Sequence, residues 1–178
     1  MTVLILPGIG NSGPDHWQSH WEQLNTQYTR VQQTNWDNPS CSEWCASLEK
    51  SVCAAGPDTF LVAHSLACLL VVHWAAVTSL SIKAALLVAV PNPNSPAFPT
   101  QAMGFEGLPM QRLPFASVVI ASTNDPYASL GHSEECASIW GSELVNIGNA
   151  GHINSSSGLG AWPAGHKILQ QLQINQAT

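Results

Sequence analysis

The apolar positions of this chain fall into short runs separated by polar, Gly- and Pro-rich stretches. Residues 3–6, 60–63, 82–90, 118–122 and 144–147 are rich in Val, Ile, Leu and Ala and too short for buried helices. They have the pattern of strands covered on both faces. Residues 28–32 form a weaker sixth run. Between them lie helical stretches. Residues 15–25 place Trp17, Trp21 and Leu24 on one face at i, i+4 and i+7. A second stretch is opened by Ser40 or Ser42 as a cap, runs to Ala55, and is stopped by Gly56-Pro57. Residues 66–78 are apolar nearly throughout, residues 128–140 follow the fifth strand, and residues 163–175 turn Ile168, Leu169 and Leu172 inward. The alternation of strand and helix predicts one α/β domain over residues 1–178. It is a three-layer sandwich of about six parallel strands with helices on both faces.

One segment breaks the rhythm. Residues 92–114 carry Pro93, Pro96, Pro99, Pro109 and Pro114 with two glycines. They also carry Phe98, Met103, Phe105, Leu108 and Met110. A loop of that length in a compact domain is usually functional, and its apolar side chains predict an ordered cover over the sheet edge.

Composition narrows the partners. The chain has 178 residues, a formal net charge of -6 and five Lys and Arg together. No basic patch can be assembled, so neither nucleic acid nor an anionic membrane surface is expected as a partner. The N-terminus is apolar but reaches Pro7 without a basic start, and reads as a first strand rather than a leader or span. The five cysteines are odd in number, and Cys68 falls in a core helix. Reduced thiols and a cytoplasmic setting fit them best. Cys41 and Cys45 have helical spacing, but no histidine nearby completes a zinc set.

Candidate chemistry centres on residues 59–78. A strand-like run ends at His64-Ser65 and a helix-forming run follows, so Ser65 sits on a sharp strand-to-helix turn. The local string is Ala63-His64-Ser65-Leu66-Ala67, with alanines where the nucleophile-elbow pattern G-x-S-x-G has glycines. Asp125 in Ser122-Thr123-Asn124-Asp125-Pro126-Tyr127 follows the fifth predicted strand, and His152 after Gly151 follows the last. Taken singly, Asp125 is a turn residue and His152 a loop histidine. Taken together, Ser65, Asp125 and His152 lie at one sheet edge in an order that suits a catalytic triad. His64 competes as base, but alternation turns its side chain to the opposite face from Ser65. Cys68 competes as nucleophile, but is expected to be buried and protonated.

The loop after the first strand holds Gly8, Gly10 and Gly13. Their spacing matches G-x-G-x-x-G, but Pro14 and Asp15 stand where a dinucleotide fingerprint needs an apolar helix. The glycines are better read as letting backbone N–H groups approach a reacting centre. The backbone N–H of Leu66 and that of Ile9, with Gly10 as second choice, are expected to hold an oxyanion. Gly10, Asn11, Ser12 and His16 are expected to touch substrate. His16 and His20 are spaced for a metal, but without an intervening Glu they read as rim histidines.

Several blocks carry a family resemblance: Pro7-Gly8 with Asp15-His16-Trp17, Trp36-Asp37-Asn38-Pro39, His64-Ser65-Leu66, residues 122–127, Gly151-His152, and Ser157-Gly158-Leu159-Gly160-Ala161-Trp162-Pro163. On these the chain resembles the small serine hydrolases typified by retinoblastoma-binding protein nine, a compact branch of the α/β-hydrolases. The resemblance implies a strand order of 2-1-3-4-5-6. The expected function is hydrolysis of a small ester, thioester or amide through an acyl-enzyme on the Ser-His-Asp triad. The substrate would be a small acyl compound or short peptide, and no metal or organic cofactor is required. Two alternatives use the same scaffold: a non-catalytic interaction module, and an acyltransferase working through the same triad. The pattern fixes no oligomeric state.

Overall fold

The structure, a computed structural model, describes residues 1–176. Six strands form one parallel sheet in the order β2-β1-β3-β4-β5-β6. They are β1 (Thr2–Leu6), β2 (Tyr28–Arg30), β3 (Thr59–His64), β4 (Ala84–Val88), β5 (Ala116–Ala121) and β6 (Glu143–Asn146). The helices are α1 (Trp17–Leu24), α2 (Cys41–Ala55), α3 (Leu66–Ala75), α4 (Leu130–Trp140) and α5 (Pro163–Asn175). The strand order is the one the resemblance implies.

Strand alternation sorts the core into two layers. Leu4, Leu6, Leu61, Ala63, Leu87 and Val119 face α2, α3 and α4. Val3, Ile5, Phe60, Val62, Leu86 and Ile120 face α1 and α5. The central strands are apolar on both faces because both faces are covered. Helix α3 is the most enclosed element, buried at every position from Leu66 to Val72. This explains why its sequence shows no polar face.

Three local expectations are corrected. Helix α1 begins at Trp17, not near Asp15; its N-cap is His16, whose ring Nδ1 accepts the Gln18 N–H over 3.2 Å. Leu24, the last residue of α1, is 73% exposed rather than facing inward. Ser40 occupies the N-cap of α2 without a side-chain cap bond. Instead the first N–H of that helix, from Cys41, reaches Met103 O at 2.9 Å. That bond anchors the 92–114 loop, which divides in two. Residues 97–101 stand on a cavity at the sheet edge, whereas Ala102, Phe105 and Leu113 are core. Phe105 packs edge-on against Trp44.

Candidate active site

The carboxyl ends of β1, β3, β5 and β6 surround a cavity of about 730 Å³. Ser65 stands between β3 and α3 with φ 56° and ψ −125°. A non-glycine residue there carries strain of about 1–3 kcal/mol. The Ser65 N–H bonds Val88 O at 2.9 Å, and Ser65 O accepts from the Cys68 N–H at 2.8 Å. Both bonds hold the turn closed and turn the hydroxyl outward.

The loop after β1 presses against this turn at Gly8. A Cβ on Gly8 would lie 3.0 Å from Ser65 Cβ and 3.0 Å from His64 O. The close approach that glycines beside the nucleophile usually serve is therefore met from the neighbouring loop. Ala63 and Ala67 are both fully buried and fit.

Ser65 Oγ lies 2.7 Å from His152 Nε2. The Nδ1 of the same ring lies 2.8 and 2.9 Å from the two Asp125 oxygens. A carboxylate only accepts, so Nδ1 carries the proton and the neutral ring receives the Ser65 hydroxyl at Nε2. Asp125 is itself oriented by the Tyr127 N–H at 2.9 Å. Three side chains from distant loops thus form one chain of hydrogen bonds.

Side chains of the Asp125 loop carry the His152 loop. Ser122 Oγ accepts the Ala150 N–H at 2.9 Å, and Asn124 Oδ1 accepts the Gly151 N–H at 2.8 Å. The Ser-Thr-Asn-Asp block in this way holds the neighbouring loop in place. From below, His64 Nε2 contacts His152 O at 3.0 Å, and Trp17 Nε1–H donates to Ile153 O at 2.8 Å. A backbone oxygen only accepts, so His64 carries its proton on Nε2. Burial holds the His64 pKa well below the usual histidine range. His64 lies on the α1/α5 side of the sheet, as alternation requires. That side also holds His152, whose ring centroid is 5.1 Å away. His64 therefore supports His152. Cys68 is fully buried, its thiol directed at Val88 O and its pKa raised by burial.

Of the expected oxyanion donors, Ile9 and Leu66 both line the cavity. Leu66 is the first residue of α3, so its N–H has no acceptor within the helix. Gly10 lines the cavity too, but its N–H already bonds Trp36 O at 2.8 Å. Asn11 is on the wall, its Oδ1 held by Arg30 at 2.9 Å. Ser12 is a correction. It is buried away from the wall and donates its hydroxyl to Gln18 Oε1 at 2.7 Å. Its neighbour Asn11 turns out at φ 65°, which sends Ser12 inward.

Gln18 has no signal in the sequence. It is wholly buried, and its amide nitrogen donates to Leu6 O and Val62 O, both at 3.1 Å. It clamps β1 to β3 where the two site loops begin. His16, read as a rim residue, is buried on the cavity wall, and burial with nearby Arg30 lowers its pKa to about 4. Asp37, Phe98 and Tyr127 complete the wall. The Tyr127 ring lies 4.5 Å from that of His152. Among the described residues, no cluster of three His, Cys, Asp or Glu is placed to hold a metal. None of their helices is long and apolar enough to cross a membrane.

Known structures resemble this one along its whole length. A protein described as a YdeN-like hydrolase from Pectobacterium atrosepticum superposes with a TM-score of 0.87 at 28% identity, covering 98% of this chain and 91% of its own. The ydeN product of B. subtilis gives 0.79 at 21% identity, with 96% and 97% covered. The type II thioesterase BorB from the borrelidin biosynthetic cluster gives 0.68 at 13% identity, with 96% and 92% covered. At such identities the last two show the shared α/β-hydrolase fold. No curated protein matches the chain in sequence. A family model described as serine hydrolase matches residues 3–171, and with nearly the whole length accounted for, the chain belongs to that family.

Proposed function

We propose that this hydrolase cleaves a small ester, thioester or amide through an acyl-enzyme on Ser65, with His152 as general base and acid and Asp125 as its orienting carboxylate. The observation that carries the reading is the unbroken link from Ser65 Oγ through His152 to Asp125, at 2.7 and 2.8 Å. Ser65 Oγ attacks the carbonyl carbon while its proton passes to His152 Nε2. Asp125 keeps the ring in the required tautomer and stabilises the imidazolium. The tetrahedral oxyanion accepts from the N–H groups of Leu66 and Ile9, where one donor is typically worth about 2.7–4 kcal/mol of the barrier. His152 returns the proton to the leaving group, and water repeats the sequence to release the acid.

Kinship with retinoblastoma-binding protein nine rests on the motif blocks. Five unpaired thiols support a reducing, cytoplasmic setting. The cavity volume suits a small acyl compound or short peptide.

Labelling with a fluorophosphonate, followed by intact mass, tests the reading. One adduct on the wild-type protein and none on Ser65→Ala is expected. No adduct on folded wild type would favour a non-catalytic interaction module.

A further inference from the structure

Among the polar side chains on the cavity wall outside the triad, His16 has a buried ring nitrogen with no partner. His16 is 5% exposed, and its Nδ1 is committed to capping α1 by accepting the Gln18 N–H. Nδ1 is therefore the unprotonated nitrogen, and the proton of the neutral ring sits on Nε2. That Nε2–H has no hydrogen-bond partner among the described residues and is shielded from solvent, so a guest oxygen reaches it only with a shift of the cavity wall. A buried donor left without an acceptor normally costs about 1–3 kcal/mol, so native structures rarely keep one without use. His16 lies against the site, its ring 4.7 Å from that of His64, which supports His152.

The surroundings keep this donor neutral. Arg30 spans Glu22, Ser19, Asn11 and the Ser12 carbonyl beneath the same loop. Burial first, and the Arg30 charge next, disfavour a proton on His16 Nδ1. No Lys or Arg lines the cavity, and Asp37 is on its wall. An anionic guest meets a carboxylate there and no cation.

We infer that His16 Nε2–H is a specificity-determining donor for a neutral substrate carrying a second hydrogen-bond acceptor, such as an ether, keto or hydroxyl oxygen, beyond the scissile carbonyl. The inference rests on the hydrolase reading above and narrows its substrate class. A site built to donate to a substrate oxygen discriminates against the analogue lacking it, because the donor is then left unpaired.

Paired esters test it. In one arm the acyl chain is alkyl or has one methylene replaced by an ether oxygen: butanoyl against methoxyacetyl, then longer pairs with the oxygen further out. In the other arm the same replacement is made in the alcohol. The kcat/KM ratio of oxa to alkyl ester is measured on wild type and on His16→Asn. Asn keeps a capping oxygen but lacks the deep donor. Dividing the two ratios cancels the intrinsic reactivity of each ester. At least one pair is expected to lose about tenfold of its oxa preference in the variant, the gain of one hydrogen bond. The arm that responds tells whether the oxygen belongs to the acyl or the leaving group. Double ratios within about twofold of one for every pair, in both arms, would overturn the inference and leave His16 as a helix cap. If His16→Asn folds poorly, His16→Phe supplies the same ratio with the ring kept. Fluorophosphonate labelling of Ser65 runs alongside. A labelled wild type with flat double ratios sinks this inference alone, whereas an unlabelled wild type that hydrolyses neither ester sinks the hydrolase reading with it.

Discussion

The two faces of the sheet are built differently. The α2–α3–α4 face is packed with Leu, Val, Ala and Cys. Its tryptophans Trp44, Trp74 and Trp140 donate their indole N–H groups to Asn35 O, Glu49 and Pro109 O. None of these acceptors belongs to the loops bearing Ser65, Asp125 or His152. The α1/α5 face is aromatic and polar. Trp17, Trp21 and Trp162 pack together there with ring centroids 4.6–6.0 Å apart. Trp17 donates to Ile153 O and Trp21 to Ala161 O, both in the stretch that carries His152. His64 adds a third bond, to His152 O itself. One face encloses the helix that follows Ser65. The other strings the His152 loop to the scaffold, including Ile153 at φ 49°. Stability and site geometry are thus carried by different layers.

Substitutions that separate these roles test the contrast. Leu69→Ala removes a fully buried side chain from α3 and should cost about 2–5 kcal/mol in urea unfolding. Its kcat/KM per folded molecule should stay within a few-fold. A large catalytic loss without a stability loss would erase the division. Gly8→Ala should do the opposite. The new Cβ meets Ser65 Cβ and the His64 carbonyl, both at 3.0 Å, so the loop must shift away from the turn. A misplacement approaching 1 Å can lower the rate about 10²-fold, which ester hydrolysis would reveal beside a small change in melting temperature.

Acid should weaken the α1/α5 face first. His16 is held down to about 4, by burial first and Arg30 next, and burial holds His64 down as well. The unfolded chain takes up these protons near pH 6.5, the fold only at lower pH. Stability is therefore complete above about pH 6.5 and falls as the pH drops toward 4, His16 contributing roughly 3 kcal/mol. Urea midpoints across that window should flatten in His16→Asn. His73→Asn on the other face, where the ring is only half-buried, should flatten them less. Equal slopes in all three proteins would remove His16 from the account.

Trp17→Phe is the mildest. It keeps most of the ring packing and deletes the donor to Ile153 O. Stability should fall by about 1 kcal/mol. The kcat should drop by roughly tenfold with KM little changed, because the His152 loop is displaced and the cavity wall is kept.

The linear chain carried most of the fold. Runs of Val, Ile and Leu with helical stretches between them force a parallel sheet covered on both sides, and the order β2-β1-β3-β4-β5-β6 agrees with what the motif blocks implied. Ser65, Asp125 and His152 were legible because each follows a strand, and parallel strands bring their carboxyl ends to one edge. Other features came only from the tertiary structure. A polar residue in a short helix looks the same in sequence whether it is solvated or fully enclosed. Gln18 clamping Leu6 O to Val62 O, Ser12 turning away from the cavity and His16 sinking into its wall depend on contacts between segments far apart in the chain. The space beside Ser65 was likewise settled across strands. Local sequence showed alanines where a turn usually needs glycines, and only the packing of the β1 loop showed that Gly8 meets the need from the next strand. Periodicity reports which face a side chain is on. Which donor meets which acceptor is decided by where the loops cross, and that exists only in three dimensions.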